Sequence, residues 1–185
     1  MDGTLTIPQH DFAAIRQRLN IPPNADILND IAQRSESDQI KARRILYDWE
    51  HELAHAAVPD PSAHALLSLL KSRGMLLGLL TRNLTTLAHI TLEAAGLADF
   101  FETEAIIGRD IGIPKPHPDG IHRICKHFNR PPAQSVMIGD YIHDTQAGRA
   151  AGALTILIDV QGRLGHPECT DIRLNHLGEL RHTLS

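Results

Sequence analysis

From Gly74 onward, short strand-like stretches rich in apolar residues alternate with stretches whose apolar residues recur at helical spacing, and few folds satisfy that alternation. Residues 75–80 (MLLGLL) form the first run, 104–108 (EAIIG) the second, 135–138 (SVMI) the third and 154–159 (LTILID) the fourth. Runs without polar interruption suit parallel strands covered on both faces. Between them lie residues 85–95, with Leu87, Ile90, Leu92 and Ala94 at helical spacing, residues 119–128 with Ile121, Ile124 and Phe128, and residues 145–151. Gly96 and Gly152 stand where two of these helices should stop. A weak strand and a helix near residues 176–184 are expected in the tail. The pattern predicts an α/β fold built on a doubly wound parallel sheet.

Residues 8–58 follow different rules, since they hold no stretch that reads as a strand. Residues 11–19 are amphipathic, with Phe12, Ile15 and Leu19 on one face. Residues 26–32 read as a short helix. Ser35 and Asp38 resemble a capping box ahead of a longer helix running to residue 57. The expected partition is an α/β core from residues 1–7 and 59–185, with a small all-helical insertion at 8–58.

Composition narrows the function. With 42% hydrophobic and 22% charged residues, the chain falls in the ordinary globular range. A net charge of -4 offers no attraction to nucleic acid or to an anionic membrane. No apolar run has the length of a membrane span, and no basic-then-apolar leader opens the chain. Cys125 and Cys169 form no C-x-x-C pair and are expected as free thiols. A cytoplasmic protein, monomeric or homodimeric, is the expectation.

In doubly wound sheets, ligands bind beyond the carboxyl ends of the strands. Those ends carry Thr81-Arg82-Asn83, the loop from Asp110 to Pro118 and Gly139-Asp140, followed by Asp144. The chain opens on Asp2-Gly3-Thr4-Leu5-Thr6, and Lys115-Pro116-His117-Pro118 occupies the proline-rich loop. In this order, the four segments resemble the four motifs of the haloacid dehalogenase superfamily, phosphatase branch. The resemblance spans nearly the whole chain. The helical insertion also lies where one subclass of that family carries a cap, phosphoglycolate phosphatase-like enzymes among them.

The resemblance implies Mg²⁺-dependent hydrolysis of a small phosphorylated metabolite through an aspartyl-phosphate. It makes Asp2 the general acid/base, with a backbone carbonyl that binds Mg²⁺. Thr81, helped by the Arg82 amide, would hold the phosphate, and Lys115 would neutralise it. Asp140 would bind Mg²⁺, while Asp144 would orient Lys115 or a metal-bound water. Arg82, Asn83 and His117 are the specificity candidates, Arg82 foremost because a guanidinium can grip an anion bidentately.

One departure matters. The family motif is D-x-D-G-T, and Met1 takes the x position, so the attacking aspartate would stand immediately upstream of Met1, on an apolar strand also upstream. Either the natural polypeptide starts earlier, or the chain lacks this mechanism. The first is the expectation, because loss of a central strand would strand backbone polar groups on both neighbours. The 185-residue chain itself is then expected to be inactive.

Two rivals come from other classes. His51-Glu52-Leu53-Ala54-His55 matches the zinc-protease signature H-E-x-x-H on a predicted helix. Val58 and Pro61, however, stand where a third ligand would be expected. The second rival is a non-catalytic module that binds phosphate esters.

Overall fold

The computed structural model describes residues 1–160, 162 and 168–183, the last three of these through their backbone alone. The N-terminal part is helical. α1 (Phe12–Arg18) starts where the Asp11 carboxylate accepts the amides of Ala13 and Ala14. α2 (Ile27–Ala32) starts where Asp26 accepts the Asn29 amide. α3 (Glu36–His55) is capped by Ser35, whose hydroxyl accepts the Asp38 amide. Each carboxylate or hydroxyl satisfies a donor that the first helical turn leaves open. The three helices close around Ile15, Leu19, Ile21, Ile31, Ala42 and Leu46. α3 ends two residues short of the expected 57, with Ala56 as its C-terminal cap.

α4 (Ala63–Ser72) was not anticipated. Its signal is present in the sequence: Ala63, Leu66, Leu67 and Leu70 repeat at helical spacing, and the first three are buried in the main core.

The expected strand at 75–80 shrinks to β1 (Leu79–Leu80), and that at 104–108 to β2 (Ile106–Ile107). These two pair in parallel, Leu79 with Ile106 and Leu80 with Ile107. Residues 75–78 have no assigned ladder, and Met75 and Leu76 are half exposed, so the apolar run is only partly used as sheet. Residues Thr103–Ala105 form a 3-10 turn instead of extending β2. α5 (Thr85–Ala94) follows β1 and is capped from a distance, because the Asp110 carboxylate accepts both the amide and the hydroxyl of Thr85. α6 (Asp119–His127), β3 (Val136–Gly139), α7 (Ile142–Ala151) and β4 (Leu154–Ile158) come next.

α7 begins three residues before the expected 145. Tyr141 is its N-cap, and the Asp144 carboxylate accepts the Tyr141 amide. It ends at Gly152 in the left-handed conformation (φ 80°) that glycine adopts without strain. β5 (Ile172–Leu174) and α8 (Gly178–Thr183) match the weak strand and helix expected in the tail, of which residue 184 lies outside the described residues.

β3, β4 and β5 pair in parallel in that order, so the described strands form two sheets, with no ladder joining β1 to β3. One apolar cluster takes Leu66 and Leu67 of α4, Ala88 and Leu92 of α5, Leu79, Ile106, Ile156, Ile158 and Leu180. A second takes Leu80, Ile107, Ile121 and Cys125 of α6, and Ala147 of α7. Consecutive residues of β1 and β2 therefore face opposite clusters, with helices on both sides, which is the doubly wound α/β arrangement. Cys125 and Cys169 are free thiols. No helix among the described residues is long and apolar enough to cross a membrane.

Candidate active site

The carboxyl ends of β1 and β3, together with the first turn of the chain, carry the motif residues in three sets of hydrogen bonds. Thr81 directly follows β1 and is buried, its hydroxyl accepting the Asn83 amide at 3.1 Å. The Asn83 side-chain amide donates to Asp2 Oδ2 at 3.1 Å, and the Thr6 hydroxyl donates to Asp2 Oδ1 at 3.4 Å. The opening turn is closed by three amides, those of Thr4, Leu5 and Thr6, donating to the Met1 carbonyl. It is anchored to the core where Asp60 donates its amide to the Leu5 carbonyl.

Asp140 follows β3 and meets the same turn. Its Oδ1 accepts the Thr4 hydroxyl at 3.0 Å. Its Oδ2 lies 2.2 Å from where a Cβ on Gly3 would stand, and Gly3 has a φ of 77°. Only glycine allows both the backbone conformation and that approach. Burial pushes the Asp140 carboxyl above its ordinary range, the neighbouring Asp144 charge adds to this, and the Thr4 hydrogen bond counteracts it.

Lys115 reaches in from the proline-rich loop. Its ammonium donates to the Leu80 carbonyl at 2.9 Å and to Asp144 Oδ1 at 2.5 Å. The lysine and aspartate side chains are only 8% and 6% exposed, so this is a buried ion pair. Burial alone would raise the Asp144 carboxyl, but the Lys115 charge and hydrogen bonds from Lys115 and the Tyr141 amide act against it, and the net direction is down. Both Asp144 oxygens are committed, one to Lys115 and the other to the Tyr141 amide.

Arg82 lies beside Thr81 and faces the helical segment. Its Nη2 donates to Asp26 Oδ2 at 2.6 Å, and its Nη1 contacts His143 Nδ1 at 2.9 Å. A guanidinium has donors only, so His143 Nδ1 accepts and its proton resides on Nε2. Burial and the Arg82 charge hold His143 below its usual range, which fits that neutral form. Arg109 donates to both oxygens of Glu50 at 2.8 Å and to the Arg82 carbonyl at 2.7 Å.

The residues singled out in the sequence therefore divide. Asp2, Thr81 and Asn83 share one set of hydrogen bonds, Lys115 and Asp144 form a second, and Asp140 is held to the opening turn by Thr4, with Arg82 next to Thr81 in the chain. His117 is exposed and engaged elsewhere, accepting the Asp119 amide at the start of α6. Asp26, Glu50 and Arg109 join the neighbourhood without having been singled out as site residues. Glu50 did leave a trace, because it is a charge on the buried stripe Ala42, Leu46, Glu50 and Ala54 of α3. The His51 and His55 rings lie 4.6 Å apart on α3. Among the described residues, no group of three or more histidines, cysteines or acidic residues could hold a metal ion, so these rings have no third ligand.

A magnesium ion needs less than such a triad. It keeps several waters and is satisfied by one or two carboxylates plus substrate phosphate. Asp140, a partly buried carboxylate with that of Asp144 in electrostatic range, is bonded to the turn that carries the Asp2 backbone, and fits that demand.

Comparison with known proteins gives the class. The family signature of the haloacid dehalogenase-like hydrolases matches residues 4–152. The chain is 31% identical over 204 residues to a haloacid dehalogenase-like hydrolase domain-containing protein of Arabidopsis thaliana, covering 100% of this chain and 81% of that protein. It is 30% identical over 158 residues to a phosphoglycolate phosphatase of Escherichia coli O157:H7, covering 84% of this chain and 60% of the relative. A hydrolase from Pseudomonas syringae superposes with a TM-score of 0.74 at 24% identity, covering 100% of this chain and 94% of its own. The chain belongs to the haloacid dehalogenase-like hydrolase family.

Proposed function

We propose that this protein is a Mg²⁺-dependent phosphomonoester hydrolase that acts on a small phosphorylated metabolite, of the size of phosphoglycolate or a sugar phosphate. The observation that carries the proposal is the buried Lys115–Asp144 pair, held between the Leu80 carbonyl at the end of β1 and the start of α7. A buried ammonium at the Leu80 carbonyl, one residue before Thr81 in the chain, is suited to the charge that develops on a transferring phosphoryl group. Asp144 fixes the lysine rather than serving as a free ligand.

The nucleophile in this proposal is an aspartate immediately upstream of Met1, on a strand lying between β1 and β3. The lack of any ladder between β1 and β3 supports that placement. Its carboxylate forms a bond to phosphorus as the ester P–O bond breaks, and Asp2 protonates the departing oxygen. Asp2 then takes a proton from water, which attacks phosphorus as the aspartyl-phosphate P–O bond breaks, freeing inorganic phosphate and the nucleophilic carboxylate. Asn83 and Thr6 orient the Asp2 carboxyl for both transfers. Asp140 and the Asp2 main-chain carbonyl would hold Mg²⁺, which would offset phosphate charge when bound. The helices of residues 8–58 act as a cap that closes over the substrate and excludes water.

The test uses the chain extended to include the upstream segment. Hydrolysis of p-nitrophenyl phosphate is expected in Mg²⁺ and should fall at least about tenfold in EDTA. Equal rates in the two buffers would reject the metal's role. Robust turnover by the 185-residue chain alone would reject the upstream nucleophile.

A further inference from the structure

The Arg82 guanidinium is half filled. Its side-on edge consists of Nε and Nη2, the pair of donors that matches the two oxygens of one carboxylate or phosphate. Nη2 is taken by Asp26 Oδ2 at 2.6 Å, while Nε is buried without a partner. Asp26 cannot fill both positions, because its Oδ1 accepts the Asn29 amide and caps α2. A buried donor with no acceptor is costly, and it marks a place where an acceptor belongs. The backbone of Arg82 is held as well, since Arg109 donates to its carbonyl while gripping Glu50 of α3. The guanidinium is thus presented on a fixed stem beside Thr81. His143 at its other end is within electrostatic range of Asp144 and Lys115.

Resting on the phosphatase function proposed above, we infer that Asp26 is a specificity-determining residue. Its carboxylate stands on the Arg82 edge that a second anionic group of the substrate takes over, alongside the phosphate. The substrate class is therefore a phosphomonoester whose leaving group bears a carboxylate or another bidentate anion. Because Nε is shut off from solvent while α2 is in place, the exchange requires Asp26 and the start of α2 to move off Arg82. Asp26 weakens such substrates by competing for the guanidinium, and Arg82 is what recognises them.

This competition predicts opposite effects from neighbouring substitutions. Binding of 2-phosphoglycolate and of ethyl phosphate is measured by calorimetry on the 185-residue chain in Mg²⁺ buffer, without turnover. Wild type should prefer 2-phosphoglycolate. Asp26→Asn, which retains an N-cap side chain, should raise that preference about tenfold, and Arg82→Gln should cut it by about a hundredfold. Asp26→Ser, another good N-cap without charge, should behave as Asp26→Asn does. An unchanged preference in both Asp26 variants would overturn the proposal. So would a preference that survives Arg82→Gln, or no binding of either ester by wild type. Failure of the extended chain to hydrolyse p-nitrophenyl phosphate, with these preferences shifting as stated, would instead reject the catalytic function and leave the Arg82 seat standing.

Discussion

Replacing Lys115 with methionine keeps most of the side-chain volume and deletes the charge that Asp144 was buried against. Breaking a buried pair from one side costs about 3–5 kcal/mol, because the surviving charge has no compensation. A second route gives a similar figure. Asp144 can escape by taking up a proton, so the penalty cannot exceed about 1.4 kcal/mol for each pH unit between an ordinary carboxylate value near 4 and neutral pH, or about 4 kcal/mol at pH 7. The Leu80 carbonyl also loses its lysine donor, which adds about 1 kcal/mol. The expected loss is therefore about 3–5 kcal/mol at pH 7, measured by urea unfolding, or a fall of roughly 6–20 °C in Tm for a chain of this size.

The sign of the pH dependence tests the cause. In the wild type the Asp144 carboxyl is lowered, so it stays ionised in folded and unfolded chains between pH 7 and 5 and the pair contributes evenly across that range. Without Lys115, burial and the nearby Asp140 push the carboxyl above its unfolded value. Its destabilising effect is then greatest at high pH and is relieved as pH falls, so the gap to wild type should narrow by up to about 2.7 kcal/mol from pH 7 to 5. Adding Asp144→Leu should recover much of the loss at pH 7. A cost below about 1 kcal/mol, or one of the same size at both pH values, would mean that the pair is not the buried, mutually dependent unit described here.

Three further outcomes are expected. Glu50→Ala leaves the Arg109 guanidinium, itself only 13% exposed, with the Arg82 carbonyl as its remaining described acceptor, and should cost about 3–5 kcal/mol in urea unfolding. A loss under about 1 kcal/mol would show that α3 docks without this pair. The Asp26 carboxyl is raised by burial, but hydrogen bonds from Arg82 and the Asn29 amide bring it below its ordinary value. Its contribution, about 1 kcal/mol or less, should be fully present above the unfolded carboxylate value and fade as pH drops through the folded one. The stability gap between wild type and Asp26→Asn should therefore be flat from pH 7 to 5 and close below about pH 4, and a gap that opens with acid would reverse the assignment. Asp140→Ala in the upstream-extended chain should reduce Mg²⁺-dependent turnover at least about a hundredfold while leaving the circular dichroism spectrum unchanged; wild-type rates would place the site elsewhere.

Much of this arrangement was written along the chain, because the features concerned are set by local backbone. The strand runs were rich in apolar residues, the helix stops at Gly96 and Gly152 needed left-handed residues, and the caps at Asp11, Asp26 and Ser35 depend on amides two or three positions away. The polar residues at strand ends were equally visible, since a parallel sheet gathers whatever follows its strands onto one edge. The lengths of β1 and β2 were not visible. An apolar run becomes a strand only where a neighbour supplies a ladder, and residues 75–78 have no ladder partner among the described residues. Met75 and Leu76 read as core by composition yet stand half exposed.

The links between the helical segment and the strand ends were hidden for a different reason. Asp26–Arg82 spans 56 positions and Glu50–Arg109 spans 59, and nothing local states which face of α3 turns inward or that the start of α2 meets Arg82. A cap residue such as Asp26 reveals its helix start but conceals its second partner, because only one of its two oxygens is used by the helix. Such dual use has a physical consequence. A carboxylate that both starts α2 and holds Arg82 couples the order of that helix to the occupancy of the guanidinium. Any ligand that displaces Asp26 from Arg82 must therefore act on the first turn of α2 as well. Amide exchange at Asn29 and Asp30 should then respond to anions that bind Arg82, and an exchange rate indifferent to 2-phosphoglycolate would show that the two oxygens act independently.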